Sequence, residues 1–227
     1  MEHHNPPDLS EHETIKGKRN ARKSTLDTFI KSYSVKKDAG LLHKIVVVDI
    51  ETTGLDPISD IILEIGICEL NLDTGDCLKL FDKIVKEPKF SEDYRDSWIF
   101  LNSDLRFDTV INAPDLEGFR EEIQSILNKY PATAFNKAFD FSYFKNRGFK
   151  ISFELPCPMM TLTSIMKIPH RSEAYRYKYP SVQEAWNYLF PNDYYRETHR
   201  AYDDAFHEAR IVYEMQRKKL WNLIEKK

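Results

Sequence analysis

Cysteine and long apolar segments are both scarce in this chain. Its 227 residues include three cysteines, Cys68, Cys77 and Cys157, which are widely spaced and form no Cys-x-x-Cys metal pattern. No apolar stretch approaches the about 18 residues that a transmembrane helix needs, and the N-terminus lacks the pattern of a signal peptide. We therefore expect a cytoplasmic protein with reduced thiols and no membrane contact.

An excess of positive charge is also absent. The chain has 33 Lys and Arg against 36 Asp and Glu, which gives a formal net charge of −3. This excludes a protein that binds nucleic acid through overall positive charge, so any such binding must rest on local charge or on metal ions. Hydrophobic residues make up 41% and aromatic residues 13%, enough for one domain with a sizeable core.

The first 42 residues have the composition of a flexible tail, and we expect the folded domain to span residues 43–227. The tail is polar and rich in charged residues, and such a segment cannot bury enough apolar surface to order itself. Five basic residues lie between positions 16 and 23. They are either a solvated charge run or an arm that contacts a phosphate backbone.

A short apolar pattern follows the basic residues. Leu26, Phe29 and Ile30 have the spacing of one helical face, which is typical of a peptide that binds a partner's groove or of a helix that folds back on the domain. The segment faintly resembles sliding-clamp-binding peptides, although Lys23 occupies the position of their usual glutamine. A clamp or polymerase is therefore a candidate partner of the tail.

Residues 44–55, KIVVVDIETTGL, organise the rest of the chain. Ile45–Val48 is a run of β-branched residues, which predicts a strand buried on both faces. Asp49 and Glu51 then project to the same side of its end. Two buried carboxylates this close require a positive charge, and hard divalent cations prefer oxygen ligands. The alternative is a strand end in solvent with two ordinary surface acids.

The remaining pattern predicts an antiparallel three-stranded meander followed mainly by helices. An irregular aromatic segment separates the meander from the first long helix. We expect strands at 61–70, 77–85, 132–135 and 156–160, and helices at 115–129, 139–147, 181–190 and 201–220.

Two further motifs carry chemistry. NKAFD places Asp140 at the start of a helix, and HRAYDDA places His199 five residues before Asp204. Five residues on an α-helix correspond to a rotation of about 500°, so the two side chains would point in different directions if both were helical. If they share a site, His199 lies on the preceding loop and Asp204 in the first turns of the helix.

DIETTG, NKAFD and HRAYDDA, in this order, resemble the three motifs of the DEDDh 3′–5′ exonucleases, which include the proofreading epsilon subunit of bacterial replicative polymerase and RNase T. The resemblance runs from about Lys44 to Leu220 and implies an α/β fold, with an RNase H-like mixed β-sheet flanked by helices. It assigns metal binding to four acids and the role of general base to a histidine. These residues are Asp49, Glu51, Asp140, Asp204 and His199.

The family's chemistry uses two divalent metal ions, Mg²⁺ or Mn²⁺. They bridge the scissile phosphate, generate the nucleophile and stabilise the leaving oxygen. The imidazole accepts a proton from the attacking water. The implied product is a nucleoside 5′-monophosphate released from a 3′ end.

Other motif residues resemble the family's substrate contacts. They are Thr52, Thr53, Gly54, Leu55, Asn136 and Phe139. Turn formation, helix capping and core packing are the alternative roles for these positions. Aromatic and basic loop residues such as Trp98, Phe100 and Tyr175 either stack on a single strand or pack within the loops.

The sequence favours a 3′–5′ exonuclease acting on single-stranded DNA ends, in proofreading or repair. The preference for DNA rests on the epsilon-like motifs and the clamp-like peptide. An exoribonuclease that trims RNA has the same catalytic site, so it remains an alternative. A non-catalytic binding module with an exonuclease fold is the alternative from another class, although all five catalytic positions are filled.

Overall fold

The structure, a computed structural model, describes residues 42–172 and 174–222. Within this part, four strands form one sheet in the order β3-β2-β1-β4. The strands are β1 Lys44–Thr52, β2 Ile62–Asn71, β3 Cys77–Ile84 and β4 Ala132–Thr133. Strands β1 to β3 pair antiparallel and β4 pairs parallel with β1, so the predicted meander and mixed sheet are confirmed.

Strand β1 lies inside the sheet and carries the first motif to its edge. Ile45–Val48 is fully buried, as the β-branched run predicts. Glu51 pairs with Glu64 of β2, and the register shifts between Glu51 and Thr52. Regular pairing therefore ends where the acidic side chains project.

The described residues also form seven α-helices and two short 3₁₀ turns. The turns are Glu92–Tyr94 and Leu116–Phe119. The helices are α1 Trp98–Asn102, α2 Phe107–Ile111, α3 Arg120–Lys129, α4 Lys137–Asn146, α5 Pro158–Met166, α6 Val182–Leu189 and α7 Ala201–Arg217.

One predicted element is wrong and another is shorter than predicted. Residues 156–160, expected as a strand, contain the start of α5, because Pro158 suits the first helical turn, where no backbone N–H is needed. The strand expected at 132–135 is regular only at Ala132–Thr133. Its outer edge instead meets the Glu154 region through an isolated bridge, with a 2.9 Å hydrogen bond from Leu155 N to Ala132 O.

The last helix packs directly on the sheet. Ala205, Ala209 and Val212 are fully buried on one face of α7. A Cβ on Gly66 of β2 would lie 2.2 Å from the carbonyl oxygen of Ala201, so only glycine permits this approach. The first turn of α7 is thereby held against the strand beside β1.

The predicted tail lies outside the described residues except for Leu42, and so does the clamp-like peptide. The division into a tail and a domain at residue 42 therefore stays a prediction. None of the helices in the described part combines the length and apolar character that a bilayer crossing requires.

Candidate active site

Acidic side chains from three separate elements converge at the C-terminal end of β1. Asp49 and Glu51 come from β1, Asp140 from the first turn of α4, and Asp204 from the first turn of α7. Glu51, Asp140 and Asp204 are 9%, 3% and 2% exposed, and Asp49 is half-buried. Acids this buried are rare unless a charge partner or a metal compensates them.

His199 joins this group from the loop before α7. Glu51, His199 and Asp204 each offer one ligand atom, and the three atoms lie within 4.8 Å of one another. His199 has the left-handed backbone angle φ of 54°, and α7 begins two residues later. The structure thus has the loop and first-turn arrangement that the five-residue spacing requires.

The two neighbouring aspartates of the third motif face different surroundings. Asp204 Oδ1 accepts a 2.5 Å hydrogen bond from the Tyr195 hydroxyl, and its Oδ2 accepts one of 3.1 Å from Arg200 N. Asp203 instead accepts a 2.8 Å bond from the Thr198 hydroxyl, and its side chain is 43% exposed. Asp204 therefore faces the acid cluster, whereas Asp203 lies at the surface.

Burial and mutual repulsion make the acid cluster electrostatically costly. Burial raises the pKa of Asp140 to about 8. Burial, followed by the charges of Glu208 and Asp140, raises the pKa of Asp49 well above its usual range. The pKa of Glu51 is raised in the same way, by burial and then by Asp204. The cluster consequently has a strong tendency to take up protons or cations.

A divalent cation fits the donors that this cluster presents. Asp140 Oδ1 is fully enclosed and has no hydrogen-bond partner among the described residues. Such an oxygen is rare in a folded protein, and a bound cation satisfies it. Carboxylate oxygens are the preferred ligands of Mg²⁺ and Mn²⁺. Glu51 and Asp204 add carboxylate oxygens beside His199, and Asp49 and Asp140 lie close enough to interact with them electrostatically, although neither belongs to the group within 4.8 Å.

A fifth acid, Glu208, was not predicted from the sequence. It is 4% exposed, and its Oε2 accepts a 3.2 Å hydrogen bond from the backbone N–H of Phe135, in the loop that leads to α4. The signal was present, because a residue four positions after Asp204 lies on the same face of a helix. Burial, and then the charge of Asp140, raise the pKa of Glu208 well above its usual range.

An ion pair anchors the start of α7 to the sheet. The Arg200 guanidinium donates to both carboxylate oxygens of Glu64, with distances of 2.7 Å from Nη2 and 2.9 Å from Nε. Glu64 also accepts from Ala201 N at 3.2 Å and is 1% exposed. A carboxylate at a helix N-terminus is favourable. This pair fixes the backbone beside His199 and gives Glu64 a structural role.

The predicted substrate contacts after β1 differ in whether they are already engaged within the protein or exposed to solvent. The Thr52 hydroxyl donates a 2.6 Å hydrogen bond to Gly54 O, and the Thr53 hydroxyl accepts one of 3.0 Å from Ile61 N. Both hydroxyls are therefore engaged within the turn. A Cβ on Gly54 would lie 2.5 Å from the Asp60 carboxylate, which gives this glycine a packing role. Leu55 is 84% exposed and therefore free to contact a substrate.

The two predicted contacts at the start of α4 lie beside Asp140. Asn136 is the N-cap residue, but its side chain makes no capping hydrogen bond. Phe139 packs partly against the core, with its ring centroid 5.0 Å from that of Tyr143. The Tyr143 hydroxyl in turn donates a 2.9 Å hydrogen bond to Gly54 O, which connects α4 to the turn after β1.

The aromatic loop contributes one exposed ring to this site. Trp98 is 57% exposed, and its ring centroid lies 4.9 Å from that of His199 at an interplanar angle of 80°. Phe100, by contrast, packs edge-on against Phe107 at 5.6 Å, within a second core cluster. Of these two aromatic residues of α1, Trp98 reaches the site and Phe100 has a packing role.

Comparison with known proteins identifies the family. The RNase T exonuclease family model matches residues 46–212, which include all three motifs. The chain belongs to this exonuclease family. Membership confirms the DEDDh resemblance, and with it the prediction of a metal-dependent 3′-exonuclease. No curated protein matches the sequence.

Solved structures of 3′-exonucleases have the same fold. A full-length 3′-exonuclease is 17% identical with a TM-score of 0.57, over 88% of this chain and 71% of that one. A 3′-exonuclease recognising the histone mRNA stem-loop is 17% identical with a TM-score of 0.58, and the match covers 79% of this chain and 84% of that one. The nuclease domain of 3′hExo, a DEDDh family member bound to rAMP, is 18% identical with a TM-score of 0.55, and the match covers 82% of this chain and 98% of that one.

Proposed function

We propose that this exonuclease removes nucleotides one at a time from the 3′ end of single-stranded DNA and releases nucleoside 5′-monophosphates. The observation that carries the proposal is the convergence of Glu51, His199 and Asp204, whose ligand atoms lie within 4.8 Å of one another. The three residues come from two distant motifs, and Asp140 adds an enclosed oxygen without a partner. The site thus brings together carboxylate oxygens and an imidazole base, which phosphodiester hydrolysis by divalent ions uses.

In the proposed site, Asp49, Glu51 and Asp204 hold one divalent ion, and Asp140 contributes to a second. When bound, such ions offset the negative charge of the phosphate and of the acids. His199 accepts the proton of the attacking water, and the pairing of Arg200 with Glu64 keeps its loop in place. Leu55, which is exposed in the turn after β1, contacts the terminal base.

Single-stranded RNA is the second candidate substrate. Two of the solved structures that share the fold are described with RNA ligands, a histone mRNA stem-loop and rAMP. DNA remains first because the motifs resemble the proofreading epsilon subunit. The clamp-like peptide supports the same choice and suggests a sliding clamp or polymerase as the partner of the tail.

The test uses 5′-labelled DNA and RNA strands of one sequence, with Mg²⁺ or Mn²⁺. We expect a ladder that shortens from the 3′ end, faster on DNA, and absent with chelator or in Asp49→Ala and His199→Ala. A faster ladder on RNA would transfer the proposal to RNA trimming. If the protein binds either strand without shortening it, the result would contradict the proposed exonuclease activity and support a binding module.

A further inference from the structure

Trp98 is an exposed aromatic residue on a firmly anchored helix. It is the first residue of α1, and its neighbour Ile99 is 2% exposed within the second core cluster. A large apolar ring that is 57% exposed on such a helix makes little contribution to the core. Its contact with His199 therefore needs an explanation other than packing.

His199 occupies a backbone conformation that requires support. Its φ of 54° lies in the left-handed region, which a residue with a side chain adopts at an energetic cost. The flanking residues are fixed, since the Thr198 hydroxyl donates 2.8 Å to Asp203 and Arg200 pairs with Glu64. These contacts hold the backbone, but neither involves the imidazole, so neither limits its rotation about the side-chain bonds.

The Trp98 ring restricts that rotation. The centroids are 4.9 Å apart and the planes are at 80°, which is the edge-to-face geometry that aromatic rings prefer. Trp98 thus contacts His199, whose ring nitrogen lies within 4.8 Å of carboxylate oxygens of Glu51 and Asp204. A rotation of His199 that breaks the ring contact would also move the imidazole nitrogens relative to these acids.

We propose that Trp98 is a positioning residue that holds the His199 imidazole in its catalytic orientation. The inference rests on the proposed function, in which His199 accepts the proton of the attacking water. An edge-to-face pair of this kind corresponds to a change of about 2- to 12-fold in a rate that depends on it. The effect belongs in kcat, because the imidazole acts in the transition state and does not hold the strand.

The experiment compares Trp98→Leu with Trp98→Phe in steady-state cleavage of a single-stranded DNA oligonucleotide with Mn²⁺. Leu101→Ala is the matched control, because Leu101 is 71% exposed on the same helix. We expect Trp98→Leu to lower kcat about 2- to 12-fold with KM unchanged. Trp98→Phe restores most of the loss because it keeps an aromatic ring, and Leu101→Ala matches the wild type.

Oligonucleotide binding separates positioning from direct base stacking. In the His199→Ala background, where turnover is absent, we expect Trp98→Leu to leave the Kd for the oligonucleotide unchanged. A Kd weakened by the substitution, or a raised KM with an unchanged kcat, would overturn the proposal and make Trp98 a stacking surface for substrate.

The outcomes also distinguish this inference from the proposed function. If the wild type and Leu101→Ala shorten the oligonucleotide and Trp98→Leu does so equally fast, this inference alone is overturned. If the wild type does not shorten it, both are overturned.

Discussion

Replacing Asp140 by asparagine should stabilise the metal-free protein while it removes activity. Asp140 is 3% exposed, and its Oδ1 has no hydrogen-bond partner among the described residues. Asparagine has nearly the same shape, carries no charge, and can donate its amide hydrogens to the neighbouring carboxylates. The substitution therefore removes a buried charge with little change in packing.

The size of the effect follows from the pKa of Asp140. Burial raises this pKa from 3.8 to about 8. Because the pKa is higher in the folded state, the wild type loses stability as the pH rises from about 4 towards about 8. At pH 7, which lies between the two pKa values, the loss of stability corresponds to about 4 kcal/mol. Water entry and side-chain rearrangement relieve part of it, so we expect a gain of about 1–3 kcal/mol for Asp140→Asn.

The assay is urea unfolding in the presence of chelator at several pH values between 4.5 and 8. The gain should be small at the acid end and should grow as the pH rises. Asp203→Asn is the control, since this surface acid should change the free energy of unfolding by less than about 0.5 kcal/mol. A variant that is no more stable than the wild type at pH 7, or whose gain does not depend on pH, would show that the buried charge of Asp140 does not destabilise the metal-free protein.

Three further predictions concern the surroundings of the acid cluster. Arg200→Ala leaves the buried Glu64 carboxylate unpaired and should lower the free energy of unfolding by about 2–4 kcal/mol in urea; an unchanged midpoint would contradict the anchoring role. Tyr195→Phe removes the hydroxyl that donates to Asp204 and should weaken Mn²⁺ binding about 10-fold in isothermal titration. Mn²⁺ at about 100 times its Kd should stabilise the wild type by about 2.7 kcal/mol at pH 7.5 and less at pH 5, where protons compete for the acids; equal stabilisation at both values would be the contrary result.

The sequence allowed the central strand and the order of the motifs to be predicted for simple physical reasons. Four consecutive β-branched residues at Ile45–Val48 favour a buried strand, and alternation then brings Asp49 and Glu51 to one side. The spacing of His199 and Asp204 required a loop followed by a helix start, and the structure has both. These patterns involve residues that are close in sequence, so the local structure they predict does not depend on contacts with distant segments.

The remaining parts of the site depend on contacts between distant segments. Trp98 and His199 are far apart in sequence, and an irregular aromatic loop gives no periodicity from which their contact could be predicted. Tyr195 likewise lies in a loop without a repeating pattern, although its hydroxyl reaches Asp204. Glu208 was within reach of prediction from helical spacing. Pro158 was misread because a short apolar segment fits a strand and a first helical turn equally well.

The most direct test of the account compares two adjacent residues. Asp204→Asn and Asp203→Asn make the same chemical change one position apart, but the first residue is 2% exposed in the acid cluster and the second lies at the surface. With 5′-labelled single-stranded DNA and Mn²⁺, we expect loss of 3′ shortening in Asp204→Asn and near wild-type shortening in Asp203→Asn. Equal activity of the two variants, or loss only in Asp203→Asn, would contradict it.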